Sequence, residues 1–427
     1  MTDAIGIDFG TTNTVAARLA PEGVARLVEI AGSPTFRSAL SFARPDDDPR
    51  GRMIEAGPFA IGAYVDDPLE TRLIQSFKSY AASPLFTETR ILERRYGFED
   101  LLSIFLLSLR RHGGDAMADL PRRVIVGRPV AFAGLQPDPA LALRRYQDAF
   151  ARLGFADIRY AYEPVAAAFF FARQLTADAT VLVADFGGGT SDFSIIRFER
   201  HAGRLKATPL ANAGVGVAGD AFDYRIVDHL VSPRLGKGSS YRAFDKVLPI
   251  PNRYYTAFAR WEQLALMRAS RDMRDIRALT RSAVEREKIA ALVELLDGNH
   301  GYRLYQSVSR LKEALSLEAQ AVFSFRAGDI VIEGAVERSH FERWIAPELA
   351  AIAGAVDQTL ASAHLPPEGV DRVFLTGGSS FVPAVRRLFA ERFDESRIRS
   401  GGELVSIASG LALIAAEDDL DAWTMSA

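Results

Sequence analysis

No cysteine occurs among the 427 residues of this chain. That excludes disulfides, thiolate nucleophiles, iron–sulfur clusters and cysteine zinc sites together, and it is compatible with a reducing cytosol. An excess of either charge is missing too: 51 Lys and Arg stand against 54 Asp and Glu, a net charge of −3. Such a balance offers neither a global basic field for a nucleic-acid backbone nor a polybasic membrane anchor. Long apolar runs are also absent. The longest, such as Pro164 to Ala172 and Leu411 to Ala416, fall well short of the ~20 residues that span a bilayer. The N-terminus does not read as a signal peptide, because Ile5-Gly6-Ile7-Asp8 reads as a strand. The expectation is a cytoplasmic protein with no nucleic-acid partner and no membrane association.

What is present is ordinary globular composition, 48% hydrophobic and 25% charged. At roughly 150 residues per domain the chain has room for two or three domains. Strand-like and helix-like segments alternate, which favours an α/β fold. Val124 to Gly127 reads as a buried strand, and Leu143, Tyr146, Phe150 and Leu153 recur at helical spacing after it. Ile158 to Tyr162 reads as a further strand. Glu163-Pro164-Val165 then opens a helix, with proline in its first turn. Val322 to Phe325 and Ile330 to Ile332 flank a plausible hairpin turn. Residues 43–52 form a charged, proline-containing loop. Residues 234–300 are rich in arginine, but Asp272, Asp275, Glu285 and Glu287 are interleaved, so they read as a solvated helical subdomain rather than a nucleic-acid surface.

The informative feature is an internal echo. Ile7-Asp8-Phe9-Gly10-Thr11-Thr12-Asn13 resembles Ala184-Asp185-Phe186-Gly187-Gly188-Gly189-Thr190, 177 residues later. Each copy has an apolar strand, an Asp-Phe-Gly turn, small or hydroxylated residues, and a second strand. Glycine lets backbone N–H groups approach phosphate oxygens closely, while Thr11, Thr12 and Thr190 add hydroxyl donors. Asp8 and Asp185, with Asp192 as a third candidate, suit a hydrated Mg²⁺, which prefers one or two carboxylates plus water and phosphate. One copy alone would read as a simple hairpin turn; two matching copies favour phosphate binding. A third glycine turn, Gly377-Gly378-Ser379-Ser380, follows the strand Val373 to Thr376 and precedes a helix from about Pro383, another place for a nucleotide.

These motifs, with Tyr162-Glu163-Pro164-Val165-Ala166-Ala167-Ala168, Asp185 to Asp192 and Phe374 to Ser380, resemble the phosphate, connecting and adenosine motifs of the DnaK-type heat-shock chaperones. The resemblance extends from residue 5 to about 415. Phe77-Lys78-Ser79 and Gly127-Arg128-Pro129 look closest to a short YegD-like branch. The resemblance implies a two-lobed α/β fold shared with actin and hexokinase, each lobe a mixed β-sheet flanked by helices with an inserted subdomain. The boundaries expected are 1–172 for the first lobe (insert about 34–120), 173–394 for the second (helical insert about 220–315), and 395–427 returning to the first.

Site roles follow from the resemblance residue by residue. Lys78 would touch the γ-phosphate and attacking water, with Glu163, Asp8 and Asp185 completing the catalytic set. Asp8, Asp185 and Asp192 would position Mg²⁺. Gly10, Thr11, Thr12, Asn13, Gly187, Gly188, Gly189 and Thr190 would hold the phosphates of ATP or ADP. Gly219, Lys312, Ser316, Gly377, Gly378, Ser379 and Phe381 would line the adenosine pocket, and Pro129 would act as an interlobe switch. Phe381 stands where many relatives have an adenine-stacking arginine, Glu313 replaces a basic pocket residue, and Ser309 a ribose-binding glutamate. Phe381 could stack on the base or pack at the start of the following helix. Glu417-Asp418-Asp419-Leu420-Asp421 lacks the leucine run of the family's linker, and no peptide-binding domain follows it here, so peptide clamping by the usual route is not expected. The activity implied is slow ATP hydrolysis in a chaperone or accessory role, with protein clients or co-chaperones as further partners. A small-molecule kinase and a non-catalytic nucleotide-dependent scaffold are the alternatives.

Overall fold

Short apolar stretches punctuated by glycine build the central strands, and most are buried on both faces. A computed structural model describes residues 3–45, 48, 51–134, 136–172, 175–201, 204–259, 264, 267, 268, 270–401, 405–417 and 419–426. Asp46, Asp47, Pro49 and Arg50 of the charged loop, and Asp418 of the acidic tail, lie outside the described residues. The chain forms two compact units. One comprises residues 1–218, 351–380 and 385–427, the other residues 219–350 and 381–384.

The first unit holds two central sheets. One contains β1 (Ala4–Phe9), β2 (Asn13–Leu19), β3 (Ala25–Leu27), β4 (Arg123–Arg128) and β5 (Asp157–Tyr162) in the order β5-β4-β1-β2-β3. The other contains β6 (Ala179–Phe186), β7 (Ser191–His201), β8 (Arg204–Val215), β9 (Arg372–Thr376) and β10 (Ile398–Ser400) in the order β8-β7-β6-β9-β10. Taken from the β3 and β8 edges, both sheets pair antiparallel, antiparallel, parallel, parallel. The sequence echo at Asp8 and Asp185 thus marks a duplicated sheet topology, with each copy at the first hairpin of its sheet. A three-stranded sheet, ordered 53–56, 39–43, 72–75, stands apart from both.

Because β10 pairs with β9, the expected boundary at 395 falls inside the second sheet rather than after it. A three-residue strand, Ile-Arg-Ser, carries no periodicity from which to place it.

Parallel strands need cover on their faces. Three helices matter here: α1 (Pro139–Arg152), α2 (Glu163–Ala172) and α3 (Ser406–Ile414). The apolar runs in α2 and α3 are core helices, buried almost throughout. Among the described residues no helix is long and apolar enough to cross a membrane. Glycine sets how closely α3 approaches its neighbours. A Cβ on Gly410 would stand 1.6 Å from Ala166 O of α2, and one on Gly6 of β1 would stand 2.5 Å from Ala408 O of α3. Both contacts are with backbone, which cannot rotate away. Gly410→Ala is therefore expected to push α2 and α3 apart and cost about 1–3 kcal/mol or more, as overpacked cores do; urea titration beside the parent chain measures it. A stability change within about 0.5 kcal/mol of zero, ordinary for surface sites, would contradict this packing.

The second unit combines helices with two hairpins, 240–243 with 246–249 and 320–327 with 330–337. The hairpin expected around residues 326–329 is present, whereas the expected helical insert also contains strands. Its arginines are paired in several places: Arg277 with Asp297 at 2.6 Å and Arg253 with Asp272 at 3.2 Å.

Candidate phosphate and cation site

The two echoing turns close in the same way. Gly10 N donates to Asn13 O at 3.0 Å, and Gly187 N donates to Thr190 O at 2.9 Å. At Gly10 the closure leaves no room for a side chain, since a Cβ would lie 2.4 Å from Asn13 O. The turns face one another: a Cβ on Gly189 would be 4.0 Å from Thr11 Oγ1 and 4.0 Å from Ser79 Oγ. Thr11, Thr12, Gly188, Gly189 and Thr190 are half-buried and Gly187 is exposed, so the two turns are not sealed from solvent.

Ser38 locks the first turn, and nothing local in the sequence marks it. Its N–H donates to Thr12 O at 2.9 Å, its hydroxyl donates to Gly10 O at 2.6 Å, and it shares a 2.9 Å hydrogen bond with Thr14 Oγ1. Arg37 Nη1 reaches Asn13 Oδ1 at 3.5 Å.

Behind the turns lies a crowded set of charges. Lys78 sits on a single 3₁₀ turn, Phe77–Tyr80, and donates from Nζ to Glu163 Oε1 at 2.6 Å. Both side chains are nearly inaccessible, 9% and 6% exposed. Burial alone would lower the Lys78 pKa, but Glu163, Tyr146 and Asp8 together raise it above the usual lysine value. The ammonium is held charged. Gly127 at the end of β4 lets Asp8 and Glu163 approach from two sides: a Cβ there would be 3.2 Å from Glu163 Cγ and 3.6 Å from Asp8 Oδ1.

The carboxylates are pushed toward protonation. Burial, then Glu163, raises Asp8 to about 7 against the pull of Lys78. Burial, followed by Glu163, Asp8 and Asp192, lifts Asp185 well above the ordinary carboxylate range. Asp192 pairs across the strands with Asp185 and is raised to about 7 by burial and Glu163, with hydrogen bonds from Thr190 and two amides opposing. Those amides belong to Val130 and Ala131, which donate to Asp192 Oδ1 at 2.7 and 3.2 Å. They follow Pro129 directly, so the proline segment of the first sheet is tied to the second.

These residues fit a cation. Asp192 Oδ2 is buried without a partner among the described residues, and four carboxylates act on one another with Lys78 among them. Buried like charges favour a counter-charge, and an all-oxygen donor set suits Mg²⁺, which keeps most of its waters. Among the described residues no three acidic or imidazole groups converge into a direct ligand set.

The third glycine turn abuts the second. Gly377 adopts φ +82°, and a Cβ there would stand 2.2 Å from Phe186 O, next to Asp185. Only glycine meets both conditions. Ser380 Oγ donates back to Gly377 O at 2.7 Å, while Ser379 is buried beside Gly378 in the same 3₁₀ turn.

The remaining expected adenosine residues lie in the second unit. Gly219, Lys312 and Ser316 come together on helices 219–226 and 301–317. Lys312 Nζ forms an ion pair with Asp223 at 2.8 Å and reaches Gly219 O at 3.5 Å. Ser316 Oγ donates to Lys312 O at 2.9 Å, within its own helix. Asp223, not singled out from the sequence, follows Gly219 by one helical turn, a spacing that could have suggested it. Phe381 is 57% exposed, which disposes of the alternative that it packs into the core at the start of the following helix.

Residues 89–238 and 278–417, more than half of the chain, match the family model for Hsp70 protein. "Chaperone protein DnaK" of Thermosipho africanus is 25% identical over 414 residues, covering 96% of this chain and 58% of its own length. The DnaK of Thermus thermophilus is 25% identical over 425 residues, covering 97% and 60%. The chain thus spans about three-fifths of the length of these curated relatives. Duplicated sheets with facing glycine turns and a family match across both mark the α/β fold as the actin-like ATPase fold, and the chain belongs to the Hsp70 family.

Proposed function

We propose that this chain binds Mg·ATP and hydrolyses it slowly to ADP and phosphate, as a cytoplasmic chaperone-type or accessory ATPase with protein clients or co-chaperones as further partners. The observation that carries the reading is the buried Lys78–Glu163 pair at 2.6 Å, set beside Asp8 and behind two facing glycine–threonine turns. The two lobes of the proposal correspond to the two sheets, with the return to the first at about residue 405, before α3.

In this reading the N–H groups of residues 11–13 and 188–190 cradle the phosphates, those of Gly10 and Gly187 being spent on closing the turns. Thr11 and Thr12 add hydroxyl donors, while the Thr190 hydroxyl holds Asp192. Lys78 contributes a fixed positive charge where negative charge grows on the γ-phosphate, and Glu163 orients the ammonium and the attacking water. Phosphoryl transfer of this kind depends on positioning and charge stabilisation more than on covalent chemistry. Bound Mg²⁺ would supply Lewis-acid neutralisation of phosphate oxygens, with Asp8, Asp185 and Asp192 as the residues that hold its water shell. Asp192 also anchors Val130 and Ala131, so that cation site and Pro129 segment are mechanically joined.

Incubation with Mg·ATP, alone and with candidate sugars, tests the proposal. ADP without a phosphorylated acceptor is the expected result. A phosphorylated sugar would replace it with a kinase, and neither product would leave a nucleotide-dependent scaffold.

Phe381 supplies a narrower test. An exposed ring can offer its face to a base, a contact worth roughly 0.5–1.5 kcal/mol beyond area burial. Phe381→Ala is expected to weaken ATP by that amount, up to about tenfold, with the melting temperature unchanged. Lost stability with intact affinity would remove Phe381 from the site.

A further inference from the structure

The Lys78 turn has little regular structure to hold it. Ser76, just before it, sits at φ +52°, an uncommon backbone for a residue other than glycine. After Tyr80 the chain runs through residues 81–88 without helix or strand. Only single turn bonds tie the segment together, among them Ser83 N to Tyr80 O at 3.1 Å and Phe86 N to Ser83 O at 3.2 Å, yet it carries Lys78 and Ser79 toward the facing turns.

One side chain collects carbonyls along this segment. Arg145 of α1 donates from Nη1 to Tyr80 O at 3.0 Å, Ala81 O at 2.9 Å and Ser83 O at 3.3 Å, and from Nη2 to Phe86 O. It is 11% exposed, and its guanidinium also lies 5.8 Å from the Phe98 ring centroid and 4.0 Å from Glu99. The base of this fork is itself fixed. The adjacent Tyr146 is fully buried, packed on Phe9 and Phe98, and Asp138 at the start of α1 donates from its N–H to Ala82 O at 2.8 Å. A planar guanidinium can serve several acceptors from one rigid position; a lysine ammonium at the end of a flexible stem cannot reproduce that fork.

We infer that Arg145 is a positioning residue for Lys78, clamping the segment from which the lysine reaches the γ-phosphate. The inference rests on the ATPase reading above. Arg145 touches no reacting atom in this scheme; it acts by holding Lys78 to within the ångström over which such placement matters.

The test is a double-mutant cycle with a local readout. Arg145→Gln and Arg145→Lys are expected to lower turnover about 10–100-fold, leaving ADP affinity unchanged and raising hydrogen exchange at amides 77–86. In a Lys78→Ala background, or Lys78→Gln should the alanine variant fold poorly, Arg145→Gln should remove little further turnover, because the two residues act as one unit. An equal loss in both backgrounds, an equal loss of ADP affinity, or unchanged exchange over 77–86 would each overturn the clamp. Failure of the underlying reading looks different: no ADP from the parent chain, or full turnover in Lys78→Ala. In that event the exchange experiment still decides whether Arg145 fixes the segment.

Discussion

Lys78→Ala should slow γ-phosphate cleavage by about 10²–10³-fold, the usual cost of deleting one preorganised donor from a charge-stabilising site, while ADP affinity changes little. ADP lacks the phosphate that Lys78 is proposed to touch. The substitution also leaves Glu163 without its 2.6 Å partner, and removing one member of a buried ion pair costs about 3–5 kcal/mol. Turnover must therefore be read on protein shown to be folded, for example at saturating Mg·ADP before exchange into ATP. Lys78→Arg serves as the control that keeps the charge. Parallel losses of turnover and ADP affinity would mean that Lys78 supports the site in general rather than the terminal phosphate.

Asp8→Asn and Asp185→Asn should each weaken Mg·ATP by about 10–100-fold, the range seen when groups holding a metal's outer shell are lost. Without Mg²⁺ the sign reverses. Each carboxylate opposes the others and the phosphates, so in EDTA the asparagine variants should bind nucleotide no more weakly than the parent chain. Melting temperatures in EDTA should likewise be equal or higher, since the variants relieve crowding among Asp8, Glu163, Asp185 and Asp192. Calorimetry with and without Mg²⁺ separates the cases. Equal affinity losses in both buffers would assign the two aspartates to the architecture of the turns and not to a cation.

The two glycine turns are legible in the sequence itself, and the reason is local. A hairpin that brings N–H groups close to a phosphate, as proposed for these turns, needs glycine and hydroxyl residues at fixed offsets, so Asp8 to Asn13 and Asp185 to Thr190 stand out in the chain. The duplicated topology of the two sheets follows from that repeat. Lys78 and Glu163 are different: 85 residues separate them, no spacing links them, and only resemblance to a family suggested both. Lys312 shows the opposite weakness, because a lysine assigned to a pocket by position also neutralises Asp223 on a neighbouring helix.

Sequence alone does not mark the short strands at 240–249 and 398–400, but it does mark the turns, the principal strands of both sheets and the residue types that suit a phosphate and a hydrated cation. Each of these is written in contiguous stretches or in short periods. Tertiary structure alone decided which distant backbones meet: Ser38 on Gly10 O, Gly410 against Ala166 O, the carbonyls at 80–86 gathered by Arg145, and the two amides after Pro129 held by Asp192. Such contacts depend on helix and sheet packing summed over the whole unit, and a serine, glycine or arginine chosen for them looks like any other in the chain.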